Sequence, residues 1–256
     1  MSVADNSQSA LQRALSRGGP LWGGWITGPT LLGPEEFAGA GYDYVGFDAQ
    51  HGYLDDAGIA GMLRRIEHLP IGTVVRLPNA DAAPIGRVLD AGADAVVIAM
   101  IESADQAAAA VAATRYQPAG IRSFGPLRAS LGRDTAALES RVSVFAMIET
   151  AAALSGLDEI CAVDGLAGLY VGPADLALSL GVDVVGATKA PAVLDAIVRT
   201  HRAANDAGLV TGIHAGDGKT GRAMAKLGLS MITLTAESHA LRRGAAEHLR
   251  EAKHDE

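Results

Sequence analysis

The chain reads as one (β/α)8 barrel, a TIM-type α/β fold. Three observations predict it: eight short apolar runs, Ala-rich segments alternating with them, and a length of 256 residues. The runs cover 22–27, 44–48, 73–77, 95–101, 142–148, 168–171, 209–214 and 230–235. Several are near-continuous in Val, Ile, Leu, Ala and Met, as expected of parallel strands covered on both faces. Between them, helices are expected over 55–69, 81–91, 103–116, 150–163, 176–180, 188–208, 218–228 and 236–253. Strand then helix, repeated about eight times, is the barrel pattern; a doubly wound sheet usually has fewer units. The length suits one such barrel, and no linker or composition break divides it. Residues 1–256 are therefore expected to form a single domain.

Residues 6–16 are expected to add an extra helix that closes the bottom of the barrel. Three junctions share one design: Ala40-Gly-Tyr-Asp, Ala91-Gly-Ala-Asp and Leu227-Gly-Leu-Ser. In each, a helix ends at a glycine, which tolerates a left-handed cap, and the next strand follows directly. The longest irregular stretch is 117–135, with Pro118, Gly120, Gly125, Pro126 and Gly132. Such a loop usually carries function.

Hydrophobic residues make up 49 % of the chain, enough to fill a barrel and the layer beneath its helices. Aromatics are only 4 %, so the core is expected to be mostly Ala, Val, Leu and Ile. A formal charge of −8 and a pI near 5.3 argue against nucleic acid or an anionic membrane as main partner. A small anionic substrate is still allowed, because it feels the local field of a cleft. The single cysteine, Cys161, has no partner for an internal disulfide and no metal-ligand spacing around it. It reads as a small buried residue in a reducing compartment. The polar N-terminus shows no signal peptide, and Gly, Asp or Arg interrupts every apolar run before it could span a membrane. The expected location is the cytoplasm.

In this fold, chemistry gathers at the C-terminal ends of the strands. The polar residues there are Asp48, Gln50, His51, Arg76, Glu102, Glu149, Asp175, His214, Asp217, Glu237 and His239. Some of these must simply cap helices or face water. Ala99-Met-Ile-Glu-Ser-Ala and Ala146-Met-Ile-Glu-Thr-Ala are nearly the same hexapeptide. Each gives an apolar strand, a carboxylate and then a Ser or Thr helix cap, so Glu102 and Glu149 are equally good metal ligands at this level. In Gly172-Pro-Ala-Asp-Leu, tight strand termination leaves uncrowded backbone N–H groups at a helix start. There they could hold a carboxylate while Asp175 holds a cation. Gly212-Ile-His-Ala-Gly-Asp-Gly-Lys-Thr resembles a phosphate-binding P-loop but has one residue too many before Gly218-Lys-Thr. It is better read as a Gly-rich strand-to-helix loop.

Several motifs occur together in order: Phe47-Asp-Ala-Gln-His-Gly, Val75-Arg-Leu-Pro, Val88-Leu-Asp-Ala-Gly-Ala-Asp, Met147-Ile-Glu-Thr and Tyr170-Val-Gly-Pro-Ala-Asp-Leu. In this order the chain resembles the class II pyruvate-dependent aldolases of the HpcH/HpaI aldolase/citrate lyase family, over about residues 21–235. Arg115-Tyr-Gln-Pro-Ala-Gly-Ile-Arg is similar to that family as well. The resemblance implies that Glu149 and Asp175 bind a divalent cation (Mg2+, Mn2+ or Co2+) and that Glu102 is a junction residue. It implies His51 as the base, Arg76 beside the ketone oxygen, and Asp90 as a carboxylate that raises the basicity of His51. Asp90 precedes the fourth strand, at the wrong end of the barrel to meet His51 of its own chain. A homo-oligomer with the active site near a subunit interface is therefore expected, and the Ala-rich last helix agrees with it. Gln50, Met147 and Ser123 depart from residues common in relatives, which bears on the choice of electrophile.

The mechanism this implies is addition of a pyruvate or hydroxypyruvate enolate to an aldehyde, or the reverse cleavage of a 4-hydroxy-2-oxo acid. The N–H groups of Gly172, Ala174 and Asp175 would hold the keto acid's carboxylate. Rival readings are an oxaloacetate decarboxylase or acyl-CoA-type lyase on the same enolate machinery. A non-catalytic barrel that binds a phosphorylated metabolite through residues 216–220 is the rival from another class.

Overall fold

The computed structural model describes residues 8–253, and its eight strands close into one parallel barrel in sequence order. They are β1 (Leu21–Ile26), β2 (Tyr44–Asp48), β3 (Gly72–Leu77), β4 (Ala95–Ile98), β5 (Ser143–Ile148), β6 (Gly168–Val171), β7 (Val210–His214) and β8 (Met231–Ala236). Because β8 returns to β1, every strand has a neighbour on both sides. The helices are α1 (Ala10–Ser16), α2 (Gly33–Gly39), α3 (Asp56–Arg65), α4 (Ala82–Asp90), α5 (Ala104–Ala112) and α6 (Thr135–Ser140). They continue with α7 (Ala151–Ser155), α8 (Leu157–Cys161), α9 (Pro173–Ser179), α10 (Pro191–Asp206), α11 (Gly218–Lys226) and α12 (Glu237–Lys253).

Local chemistry sets most boundaries. Asp55, Asp81, Ser103, Thr150 and Asp217 each accept a backbone N–H from the first turn of the helix they precede. Such a cap stabilises a helix by about 1 kcal/mol. The three glycine junctions behave as read, with φ of 87° at Gly41, 100° at Gly92 and 103° at Gly228. Other boundaries differ from expectation. The segment 150–163 divides at Gly156 into α7 and α8, and α9 begins at Pro173, a residue suited to a first helical turn. Neither α2 nor α6 is expected from the sequence, because seven and six residues are too few to show a period.

The core has two shells. Between barrel and helices lie Val, Ile, Leu and Ala, among them Val75, Ile98, Ile148, Ile85 and Ile197. Inside the barrel lie Tyr44, Phe145 and Tyr170, packed among Val97, Met147 and Met231. The hydroxyls of Tyr44 and Tyr170 both meet Thr233 Oγ1, at 2.9 and 2.7 Å, which satisfies three buried polar groups at once. Leu11 of α1 belongs to this inner shell and is fully buried, so α1 plugs the N-terminal end of the barrel. The expected helix over 6–16 is thus seen from Ala10 on; residues 6 and 7 lie outside the described residues.

The loop over 117–135 runs on the N-terminal side of the barrel. The Arg128 side chain donates to the carbonyls of Leu63 and Gly92, and the Leu127 N–H donates to the carbonyl of Asp90. At the other extreme of the chain, α12 buries none of its residues. Among the described residues, no helix is long and apolar enough to cross a membrane.

Candidate active site

The C-terminal ends of the strands surround a cleft of about 660 Å³. Of the residues expected at the site, His51, Arg76, Gly172, Ala174 and Asp175 line it.

Its organising group is Asp48, the buried last residue of β2. The strand register sets Asp48 beside Arg76 of β3. Arg76 Nε donates to Asp48 Oδ1 at 3.0 Å and Nη2 donates to Oδ2 at 2.5 Å, a fork that fixes the guanidinium plane. The Trp25 indole donates to Oδ2 at 3.1 Å, and the backbone N–H groups of Gln50 and His51 donate to Oδ1 at 3.1 and 2.9 Å. Burial pushes the Asp48 carboxyl up. The hydrogen bonds and charge of Arg76, with the His51 amide and Trp25, outweigh it and hold the group below the usual carboxylate range. One carboxylate thus orients both the arginine and the turn that carries His51. The sequence marks Asp48 as a strand-end residue but gives it no role, because its partnership with Arg76 depends on register. The His51 side chain is exposed, and its ring has no hydrogen-bond partner among the described residues.

Geometry separates the two glutamates of the repeated hexapeptide. Ser103 and Thr150 both cap helices, as the repeat implies. But β4 ends at Ile98, and Met100 takes a left-handed conformation with φ of 56°, which leaves Glu102 exposed. Such a φ is unfavourable for a side chain of this kind and persists only where surroundings enforce it. Here the Met100 N–H donates to Glu149 Oε1 at 2.8 Å. Glu149 is fully buried next to Gly172, which lines the cleft, and its Oε2 has no partner among the described residues. A Cβ on Gly172 would lie 2.4 Å from that oxygen, so only glycine leaves room for it. Burial, and then the charge of Asp175, push the Glu149 carboxyl up, against the opposing effects of the Met100 N–H and Arg76. The Asp175 carboxylate, in the first turn of α9, has no hydrogen-bond partner among the described residues.

One expectation needs correction. The Gly172 N–H donates to the Ile148 carbonyl at 3.2 Å, one residue past the end of β6. It is therefore not free to hold a substrate carboxylate; the contribution of Gly172 is the absence of a side chain. Ala174 and Asp175 remain at the open N-terminus of α9.

Asp90 ends α4 on the opposite side of the barrel and pairs with Arg122, whose Nη2 lies 2.8 Å from Oδ1. It does not approach His51 within the chain, as its place in the sequence requires. Asp217 caps α11 through the N–H and hydroxyl of Thr220. The Thr220 donors that residues 216–220 could offer a phosphate are thus already engaged by Asp217. Glu237 accepts a hydrogen bond from Thr30 at 2.7 Å, away from the acids. Two residues that the sequence names without a role, His214 and His239, line the cleft with Lys189 and Trp25.

Fold and cleft define an α/β barrel with a small-molecule site at the C-terminal ends of its strands. The chain belongs to the HpcH/HpaI aldolase/citrate lyase family, whose model matches residues 23–243. A hydroxypyruvate/pyruvate aldolase of Rhizorhabdus wittichii is 36 % identical over 241 residues, covering 93 % of this chain and 96 % of the relative. A 4-hydroxy-2-oxovalerate aldolase of Rhodococcus jostii is 37 % identical over 80 % of this chain and 81 % of its own. Among solved structures, an HpcH/HpaI family protein from Burkholderia cenocepacia superposes with a TM-score of 0.85 at 33 % identity, covering 92 % of this chain and 95 % of that one.

Proposed function

We propose that this chain is a divalent-metal-dependent aldolase. It forms the enolate of pyruvate or hydroxypyruvate and adds it to an aldehyde, or cleaves a 4-hydroxy-2-oxo acid in reverse. The names of its relatives support the reaction class. The observation that carries the metal is the Glu149 Oε2 atom, buried without a partner and close enough to Asp175 to feel its charge. An unpaired buried carboxylate oxygen is costly unless a ligand completes it.

The donor set suits a hard cation such as Mg2+, Mn2+ or Co2+. Both donors are carboxylates, and among the described residues no third His, Cys, Asp or Glu joins them. The cation's remaining positions would be left to oxygen ligands from outside the chain. When bound, the cation supplies Lewis-acid polarisation of the ketone.

The protein's own groups do the rest. Arg76, locked by Asp48, faces the ketone oxygen and stabilises the charge that develops there as the C3 proton leaves. His51 moves that proton. The N–H groups of Ala174 and Asp175 hold the substrate carboxylate at the start of α9. Asp90 serves the His51 of a neighbouring copy rather than its own, which agrees with an exposed imidazole that has no partner among the described residues. The reaction needs neither membrane nor nucleic acid, and a cytoplasmic setting keeps the Cys161 thiol reduced.

The direct test is Mn2+ titration of metal-stripped protein by calorimetry. The unsubstituted chain is expected to bind one ion. Glu149→Gln and Asp175→Asn are each expected to weaken binding by more than about 100-fold, beyond the usual effect of outer-shell changes. Unchanged affinity in both variants would overturn the assignment.

A further inference from the structure

His214 is a half-buried ionisable group of the cleft to which the proposed chemistry gives no task. It ends β7, next to the loop that leads to α11, and is half-buried at the cleft wall. Its ring meets Trp25 edge-on, with centroids 5.5 Å apart and planes at 90°. Trp25 in turn donates to Asp48 and lies under the Arg76 guanidinium, 5.6 Å from its ring centroid. The imidazole is thereby braced on the same assembly that positions Arg76. Neither of its ring nitrogens has a hydrogen-bond partner among the described residues. Burial, with the charge of Arg76 and the neighbouring His239, holds its pKa down to about 4, against the opposing pull of Asp48. At neutral pH it is an uncharged ring offering one N–H donor and one nitrogen acceptor.

We propose that His214 is a specificity-determining residue that reads a hydroxyl group on the electrophile, which makes the preferred partner a short hydroxyaldehyde. This rests on the aldolase reading and deepens it. A hydroxyl is both donor and acceptor, as a neutral imidazole is, so the two complement each other in either tautomer. A plain alkyl aldehyde would leave the nitrogens unpaired as water is displaced, which costs binding. A second carboxylate on the electrophile is disfavoured for a different reason. Lys189, the lysine among the described residues that line the cleft, lies in the field of Asp217, which offsets its charge. Ser238 and His239, exposed on the same wall, extend the polar surface toward solvent.

The test uses the metal-loaded full chain with pyruvate as donor and three acceptors: glycolaldehyde, the near-isosteric propanal, and succinic semialdehyde. The unsubstituted enzyme is expected to give the highest kcat/KM with glycolaldehyde. In His214→Leu the glycolaldehyde-to-propanal ratio is expected to fall about 10-fold, the size of one neutral hydrogen bond. His214→Gln, which keeps a donor and an acceptor, is expected to restore most of that ratio. A general disturbance of the cleft would lower both aldehydes together and leave the ratio where it was, which overturns the proposal. A preference for succinic semialdehyde that survives in His214→Leu would assign recognition to Lys189 and also overturn it. Failure of the aldolase reading is distinguishable: the unsubstituted enzyme would then neither exchange the methyl protons of pyruvate nor use any acceptor, and both conclusions would fall.

Discussion

At the end of β5, one carboxylate oxygen lies buried without a donor, and the residues around it are chosen to keep it so. Met100 holds the other oxygen through a strained backbone, and Gly172 removes the side chain that would cover the free one. Gly172→Ala is therefore a sharp probe. Its new Cβ would meet Glu149 Oε2 at 2.4 Å, so the carboxylate must move. Overpacking of this kind costs about 1–3 kcal/mol. We expect a folded protein whose Mn2+ affinity falls at least about 10-fold, measured by calorimetry beside a thermal melt. Retained affinity would mean that Glu149 does not face the cation. At this scale the sequence was half legible. The repeated Met-Ile-Glu announced two candidate acids, and both helix caps followed from it. What distinguishes them is a single left-handed residue at Met100, which no propensity for methionine would suggest. Asp48 was hidden for another reason, since its worth lies in a cross-strand pair that exists only once the register is set.

Elements are where the sequence spoke most clearly. All eight strands appear within a few residues of their apolar runs, because a strand buried on both faces leaves an uninterrupted signature. The main misplacement, the run through 95–101, ends early at Ile98 because the chain turns at Met100. The short helices α2 and α6 escaped, as amphipathic period needs more than two turns to show. The last helix poses a different question. Leu241, Ala245 and Leu249 fall four residues apart on one face of α12, and the two leucines are 72 % and 56 % exposed. No residue of this 17-residue helix is fully buried, so its apolar face is open to a partner surface. On the proposed function, a second copy of the chain would also supply an Asp90 from outside. Leu241→Asp combined with Leu249→Asp is expected to shift the protein from oligomer to monomer in sedimentation velocity. An unchanged sedimentation coefficient, or a monomeric unsubstituted protein, would remove α12 from the interface.

For the molecule as a whole, the barrel divides labour between its ends. The N-terminal end is closed by α1 and tied by Asp94, which accepts from the Thr73 and Leu11 N–H groups and pairs with Arg141 at 2.8 Å. That end supplies stability. At the C-terminal end, oxygens of Glu149 and Gln50 have no partner among the described residues, and on the N-terminal side atoms of Tyr116, Arg122 and Arg128 are likewise unpartnered. At the C-terminal end, such incomplete satisfaction marks a surface completed by what it binds. The net charge of −8 is no obstacle, since Arg76 at the cleft gives an anionic keto acid a local cation. The central claim is that these groups generate an enolate before any aldehyde arrives. Metal-stripped protein mixed with pyruvate in D2O, followed by proton NMR of the methyl resonance, tests it most directly. Added Mn2+ should switch on deuterium uptake, and His51→Ala should abolish it; exchange that proceeds equally without metal, or not at all with it, would contradict the account.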